Sequence, residues 1–258
     1  MSLLRVRDLP SDAAASLSRF VTTLDERLPG QVEAVWVEGS LVLGDYHPGL
    51  SDIDVVVVTR QPQAPHLRVR APWPLSITWT TRGALATLHP ITAATLHRAG
   101  LAIRGESPRA LVHDVPRVEL IAYLRANLAT YWEPWRERAR RNPLFRLSCL
   151  HGERVQWGAF GVPRQYVTAV DGTIVSKTAA ARRMRDVVDP RHHRILDEVL
   201  RLRTGAGRRR YRSPWARSAD MLALLDDTLR VTRSALGVGV SEPGAIRQGL
   251  VTLPATTR

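Results

Sequence analysis

The chain has 258 residues, 44% of them apolar, enough for one large domain or two modest ones with a real core. Its single cysteine, Cys149, excludes an intrachain disulfide and leaves no thiolate zinc site to build. The net charge of +13 is lopsided: residues 1–113 hold 11 Arg against 10 acids, and residues 114–258 hold 26 basic residues against 14 acids.

In chain order, residues 11–28 place apolar side chains (Ala15, Leu17, Phe20, Val21, Leu24, Leu28) at helical spacing, with Ser11 as N-cap and Pro29-Gly30 as the stop. Residues 32–37 read as a strand. Gly39-Ser40 then turns into a short helix near Leu41–Leu43. Residues 53–59 are β-branched and almost wholly apolar, the pattern of a strand buried on both faces. A Pro-rich loop over 61–74 precedes a third strand, "LSITWT", at 75–80. Helical stretches follow at 84–88 and 91–98, then a short segment "LAIRGE".

After Pro116 the pattern turns helical: 117–141 with a kink or division at Pro134, then 144–160, both rich in helix formers. Asp171-Gly172 marks a turn, Ser176 caps a helix through Met184, and Pro190 opens one through Arg203. A basic loop spans 204–213, a last helix 219–234, and a flexible tail rich in Gly, Pro and Thr begins at Gly237. The expected fold class is α+β. A mixed-sheet domain with helices over residues 1–113 precedes an α-helical domain over 114–258. Residues 1–10 lack the apolar core of a signal peptide, and no apolar run approaches the roughly 20 residues that span a bilayer. A cytoplasmic protein without a membrane partner is expected.

The stretch "EGSLVLGDYHPGLSDIDVVVV" carries the chemistry. Asp52 and Asp54 stand two residues apart at the start of a strand, so both project from one face. Neighbouring carboxylates repel, and a bound cation relieves them. Mg²⁺ takes carboxylate and phosphate oxygens. Gly39 permits close backbone approach, and Ser40 offers N–H and hydroxyl groups to an anion. A phosphate cradle beside a metal pair is a device for nucleotidyl transfer.

The same stretch resembles the nucleotidyltransferase superfamily motif, Gly-Ser followed by Asp-x-Asp. "GLAIRGESPRALV" (100–112) and "DGTIVSKTAAARRM" (171–184) resemble segments of the aminoglycoside nucleotidyltransferases of the streptomycin/spectinomycin type. The resemblance covers roughly residues 30–235. It implies transfer of AMP from ATP to a hydroxyl of an aminoglycoside or aminocyclitol, and with it antibiotic resistance. It implies that Gly39 and Ser40 hold the triphosphate, that Asp52 and Asp54 bind Mg²⁺, and that Lys177 reaches the phosphates from the helical domain. Lys177 is the only lysine among 37 basic residues. An ammonium and a guanidinium are not equivalent on a phosphate. The Arg usage elsewhere fits a coding bias, and nucleic acid is not expected as a partner. The partners expected are the nucleotide and a small hydroxylated acceptor, with the protein a monomer or weak oligomer.

Members of the family carry a third carboxylate on the strand after the Asp pair, as the base for the acceptor hydroxyl. Ser76 stands there. Glu106 is the expected substitute in the catalytic role, with Glu38 as the second candidate. Glu153, Asp171 and Glu106 are the acids expected to receive a cationic acceptor. His192-His193 reads as a solvated helix start. Trp132, Trp135 and Trp157 read as core or stacking residues, and Arg164 and Tyr166 as possible cleft residues. Two alternatives stay open: a nucleotide-binding regulatory module that has lost transfer, and nucleotidyl transfer to RNA or protein.

Overall fold

A computed structural model describes residues 6–62 and 73–238. Its N-terminal part is a four-stranded sheet in the order β3-β2-β1-β4, formed by β1 (Val32–Glu38), β2 (Ile53–Thr59), β3 (Leu75–Thr81) and β4 (Leu101–Arg104). β1 runs antiparallel to β2 and β4, whereas β2 and β3 are parallel. The sheet is therefore mixed, as expected. "LAIR" proves to be its edge strand. Most of the Pro-rich loop lies outside the described residues.

The valines of β2 are buried on both faces. One face packs Val35, Val37, Val55 and Val57 on Ala13, Leu17, Phe20 and Leu24 of α1 (Ser11–Arg27). The other packs Ala34, Trp36, Val56 and Val58 on Ala93, Ala94 and Leu96 of α2 (Pro90–Ala99), and reaches Leu120. Residues of the same parity point the same way. Glu38, opposite Asp54, and Asp54, opposite Ser76, thus align in one row across the α2 face. Pro10 rather than Ser11 occupies the N-cap of α1.

The remainder is helical: α3 (Pro108–Leu111), α4 (Arg117–Asn127), α5 (Glu133–Arg141), α6 (Pro143–Ser148), α7 (Gly152–Asp171), α8 (Lys177–Met184), α9 (His193–Thr204) and α10 (Pro214–Ala235). A separate core that includes Trp132, Trp135, Phe160, Met184 and Met221 holds them together. The kink expected at Pro134 is a π turn over Leu128–Trp132 that joins α4 to α5. Proline supplies no N–H, and the wider turn accommodates the missing hydrogen bond. The single helix expected over 144–160 is instead two. His151 is extended between α6 and α7, and α7 runs on through Pro163 to Gly172, whose left-handed φ of 69° ends it. His192, expected in solvent, is buried and bonded at 2.7 Å to Asp227. No helix among the described residues is long and apolar enough to cross a membrane.

α7 meets the α4–α5 junction at Gly161, where a Cβ would lie 1.9 Å from the Trp132 ring. An alanine in a helix interior ordinarily gains about 1 kcal/mol over glycine. Here the sign reverses. Gly161→Ala is expected to lower the unfolding free energy by about 1–3 kcal/mol through overpacking, read by chemical denaturation.

Candidate active site

The loop after β1 begins with Gly39 at φ 69°. A Cβ there would lie 2.0 Å from Asp54 Oδ2, so only glycine lets the turn close over that carboxylate. Leu43 N–H donates to Gly39 O at 3.1 Å and Asp45 N–H to Ser40 O at 2.9 Å. The short helix expected here is thus a hydrogen-bonded turn. Gly44, at φ 67°, takes the backbone out of helical geometry before a second turn forms. The His47 N–H donates to Ser51 Oγ at 3.0 Å and braces the loop as it returns to β2.

Asp52 lies exposed at the mouth of β2, and Asp54 lies partly buried behind Gly39. Burial raises the Asp54 carboxyl to about 7, with further upward pressure from the charges of Asp52 and Glu38. Lys177 and Arg164 oppose the rise. Burial likewise raises Glu38 to about 7, against a hydrogen bond from Thr92 of α2. Glu38, Asp52 and Asp54 therefore crowd three carboxyl groups at one end of the sheet, where a bound cation would favour their ionised forms.

The helical part reaches this end through Asp45. Asp45 Oδ1 accepts from the Thr178 hydroxyl at 2.6 Å, and Oδ2 accepts from the Thr178 N–H at 3.2 Å. Arg203 Nε pairs with Oδ2 at 3.3 Å, and Arg203 Nη2 donates to the Asp45 carbonyl at 2.7 Å. His47 Nε2 lies 3.0 Å from Oδ1. Burial favours the neutral form of Asp45. The Thr178 contacts, Arg203 and His47 outweigh it and hold the carboxyl below its ordinary value. The Ser176 hydroxyl accepts from Ala179 N–H and caps α8, as the sequence suggests. Lys177, between Ser176 and Thr178, is thereby set against the carboxylates. Burial lowers its ammonium to about 8, with Arg164 and Arg203 adding to the fall and Asp52 and Asp54 opposing it.

These residues line a cleft of about 80 Å³ that includes Gly39, Ser40, Asp52, Asp54, Arg164 and Lys177. Ser40 Oγ and Arg164 Nε are buried there without a hydrogen-bond partner. Unmet donors, an ammonium and a guanidinium opposite two carboxylates suit a phosphate chain with a divalent cation.

Residues 17–87 match the family model described as nucleotidyltransferase domain. This part of the chain is a nucleotidyltransferase domain. The fold as a whole is similar to the crystal structure of spectinomycin adenyltransferase AAD(9) from Enterococcus faecialis with ATP and spectinomycin. The TM-score is 0.59 at 12% identity, over 82% of this chain and 98% of that one. No curated protein sequence matches the chain.

Within the nucleotidyltransferase domain the structure brings together Gly39, Ser40, Asp52 and Asp54, and Lys177 joins them from α8. It does not bring Glu106. β4 runs antiparallel to β1, pairing Arg104 with Val35, so the chain has moved roughly 15 Å from the Asp pair by Glu106. There its carbonyl accepts from Trp36 Nε1 at 2.8 Å, and its exposed carboxylate pairs with Arg82 at 3.4 Å. Glu38, cross-strand from Asp54, is the acid in reach. Glu153, Asp171 and Glu106 line neither this cleft nor the cavity beside it. Tyr166 packs against the helical core instead of the cleft. Asp45, Thr178 and Arg203 went unmarked in the sequence. Asp45 and Arg203 are both almost fully buried.

Removing one partner of such a pair leaves the other charge buried and unmatched. Asp45→Ala is expected to lower the unfolding free energy by about 3–5 kcal/mol, and the double change Asp45→Asn with Arg203→Met to recover much of that loss. Equilibrium denaturation of the three proteins measures both.

Proposed function

We propose that the protein transfers AMP from ATP, with Mg²⁺, to a hydroxyl of a small molecule of about aminocyclitol size. The observation that carries this reading is the pair Asp52 and Asp54 facing Lys177 and Arg164 across a cleft with unmet buried donors, with Glu38 cross-strand from Asp54. In this reading residues 1–113 form the catalytic domain, and 114–258 close it and supply Lys177. The fold shared with AAD(9) supports adenylyl transfer and makes a role in antibiotic modification a natural one to test.

Gly39 and Ser40 take the triphosphate through backbone and hydroxyl donors. Lys177 and Arg164 meet its charge from the other side. Asp52 and Asp54 hold Mg²⁺, which when bound neutralises charge on the phosphates. Glu38 replaces Glu106 as the proposed base. The acceptor oxygen bonds to the α-phosphorus, and the bond from that phosphorus to the oxygen bridging the β-phosphate breaks. Pyrophosphate leaves, and the hydroxyl proton passes to the Glu38 carboxylate.

The second reading, a nucleotide-binding module without transfer, is favoured by one observation: Ser76, not an acid, stands beside Asp54 on β3. Pyrophosphate release separates the two. Glu38→Gln is expected to lower kcat by about 10²–10⁴ with ATP affinity retained, whereas Glu106→Gln leaves kcat unchanged. Full turnover in Glu38→Gln removes Glu38 from the base role. Asp54→Asn is expected to abolish Mg²⁺-dependent ATP binding, measured by calorimetry.

A further inference from the structure

Beside the phosphate cleft lies a larger cavity of about 500 Å³, and Arg164 lines both. Thr92, which bonds Glu38, is also in its wall. A molecule in this cavity therefore adjoins both Thr92, the partner of the proposed base, and Arg164 of the phosphate cleft. The cleft itself, at about 80 Å³, has room for phosphate groups but not for a second substrate. The cavity falls within the roughly 300–1,000 Å³ of small-molecule sites.

Its chemistry is aromatic. Tyr123, Tyr131, Trp132 and Trp157 line it. Trp157 is 44% exposed. Its ring is nonetheless held in place, stacked on Trp132 at 6.2 Å with 29° between planes, and its Nε1 donates to the Tyr131 hydroxyl at 2.9 Å. A large apolar ring kept rigid at a cavity wall is a stacking platform. Beside it, Gln165 Oε1 is buried with no donor, while the amide nitrogen of Gln165 donates to Asn127 Oδ1. Gln165 thus offers one free acceptor to a ligand.

The charge pattern narrows the ligand. The residues lining the cavity include no Asp and no Glu, and Arg164 is their one full-time charge. The charge of Arg154 also acts on Tyr131. An ammonium-bearing aminoglycoside would bury cations here with no carboxylate partner, at several kcal/mol per ion. Of the nearby carboxylates, Asp54 already faces Arg164 and Lys177, and Glu38 is bonded to Thr92 and pushed by burial toward its neutral form.

We infer that this cavity is the acceptor subsite and that its acceptor is an uncharged hydroxylated molecule, with a flat ring stacked on Trp157 and a hydrogen bond donated to Gln165. This rests on the transfer reading only for the word acceptor; the ligand class rests on the cavity. Aryl β-glucosides, which carry a flat ring, several hydroxyls and no charge, are the probe, with spectinomycin and streptomycin as the cationic arm. Calorimetry on the full chain with Mg²⁺ and a non-hydrolysable ATP analogue is expected to show binding of the glucosides and none of the cations. Trp157→Ala is expected to weaken glucoside binding about tenfold, and Trp157→Phe to restore most of it, with ATP affinity unchanged in both. Binding or turnover of the cations at an affinity or KM that Trp157→Ala leaves unmoved overturns the inference. So does a loss of ATP affinity in Trp157→Ala, which assigns the cavity to adenine. Glucoside binding that follows Trp157, with no pyrophosphate release from ATP, upholds the ligand class and defeats the transfer reading instead.

Discussion

The buried Asp45 carboxylate organises the molecule. It sits on the loop that leaves the nucleotidyltransferase sheet, yet its partners, Thr178 and Arg203, belong to two helices of the other half. A buried charge is costly unless each lone pair is met. Satisfying Asp45 therefore requires α8 and α9 to dock in one position. Docking places Lys177 and Arg164 opposite Asp52 and Asp54. The Asp45 contacts thus join the two halves at the wall of the cleft.

Local patterns carried the fold far. The β-branched run at 53–59, the Gly-Ser turn and the Ser176 cap were legible because each depends on residues close in sequence. So was the row on β2, since Asp52 and Asp54 need only strand periodicity to share a face. The failures concern pairing across distance. Glu106 looked available in the chain. Its distance from the site follows from the antiparallel register of β4, which no local pattern encodes. The Asp45–Arg203 pair spans 158 residues and has no periodic signature. His192 read as solvated because its partner, Asp227, is 35 residues away. Gly44, which cuts short the expected helix after Gly39, was a signal in plain sight.

In the proposed mechanism the acid that faces Asp54 keeps its function while moving to the other side of the strand. The carboxylate that the family resemblance places on β3 is Ser76 here, and Glu38 stands on the opposite neighbour, β1. Both positions flank Asp54 on one face, and adjacent strands lie about 4.8 Å apart. An acid on either side reaches the same space. The substrate would approach from a different wall in each case. Here that wall is α2, through Thr92, and the aromatic cavity lies against it.

Lys177 has one further consequence. It is the only lysine of the chain, so the protein's side chains carry a single amine. That amine stands inside the cleft with its ammonium lowered to about 8, which leaves a substantial neutral, nucleophilic fraction near physiological pH. Chemistry directed at lysine side chains, whether acylation, reductive alkylation or enzymatic conjugation, therefore has one address in this molecule. A general protein stain for lysine becomes an occupancy gauge for the site, and a protease that cuts after lysine would cut at one peptide bond, at the first turn of α8.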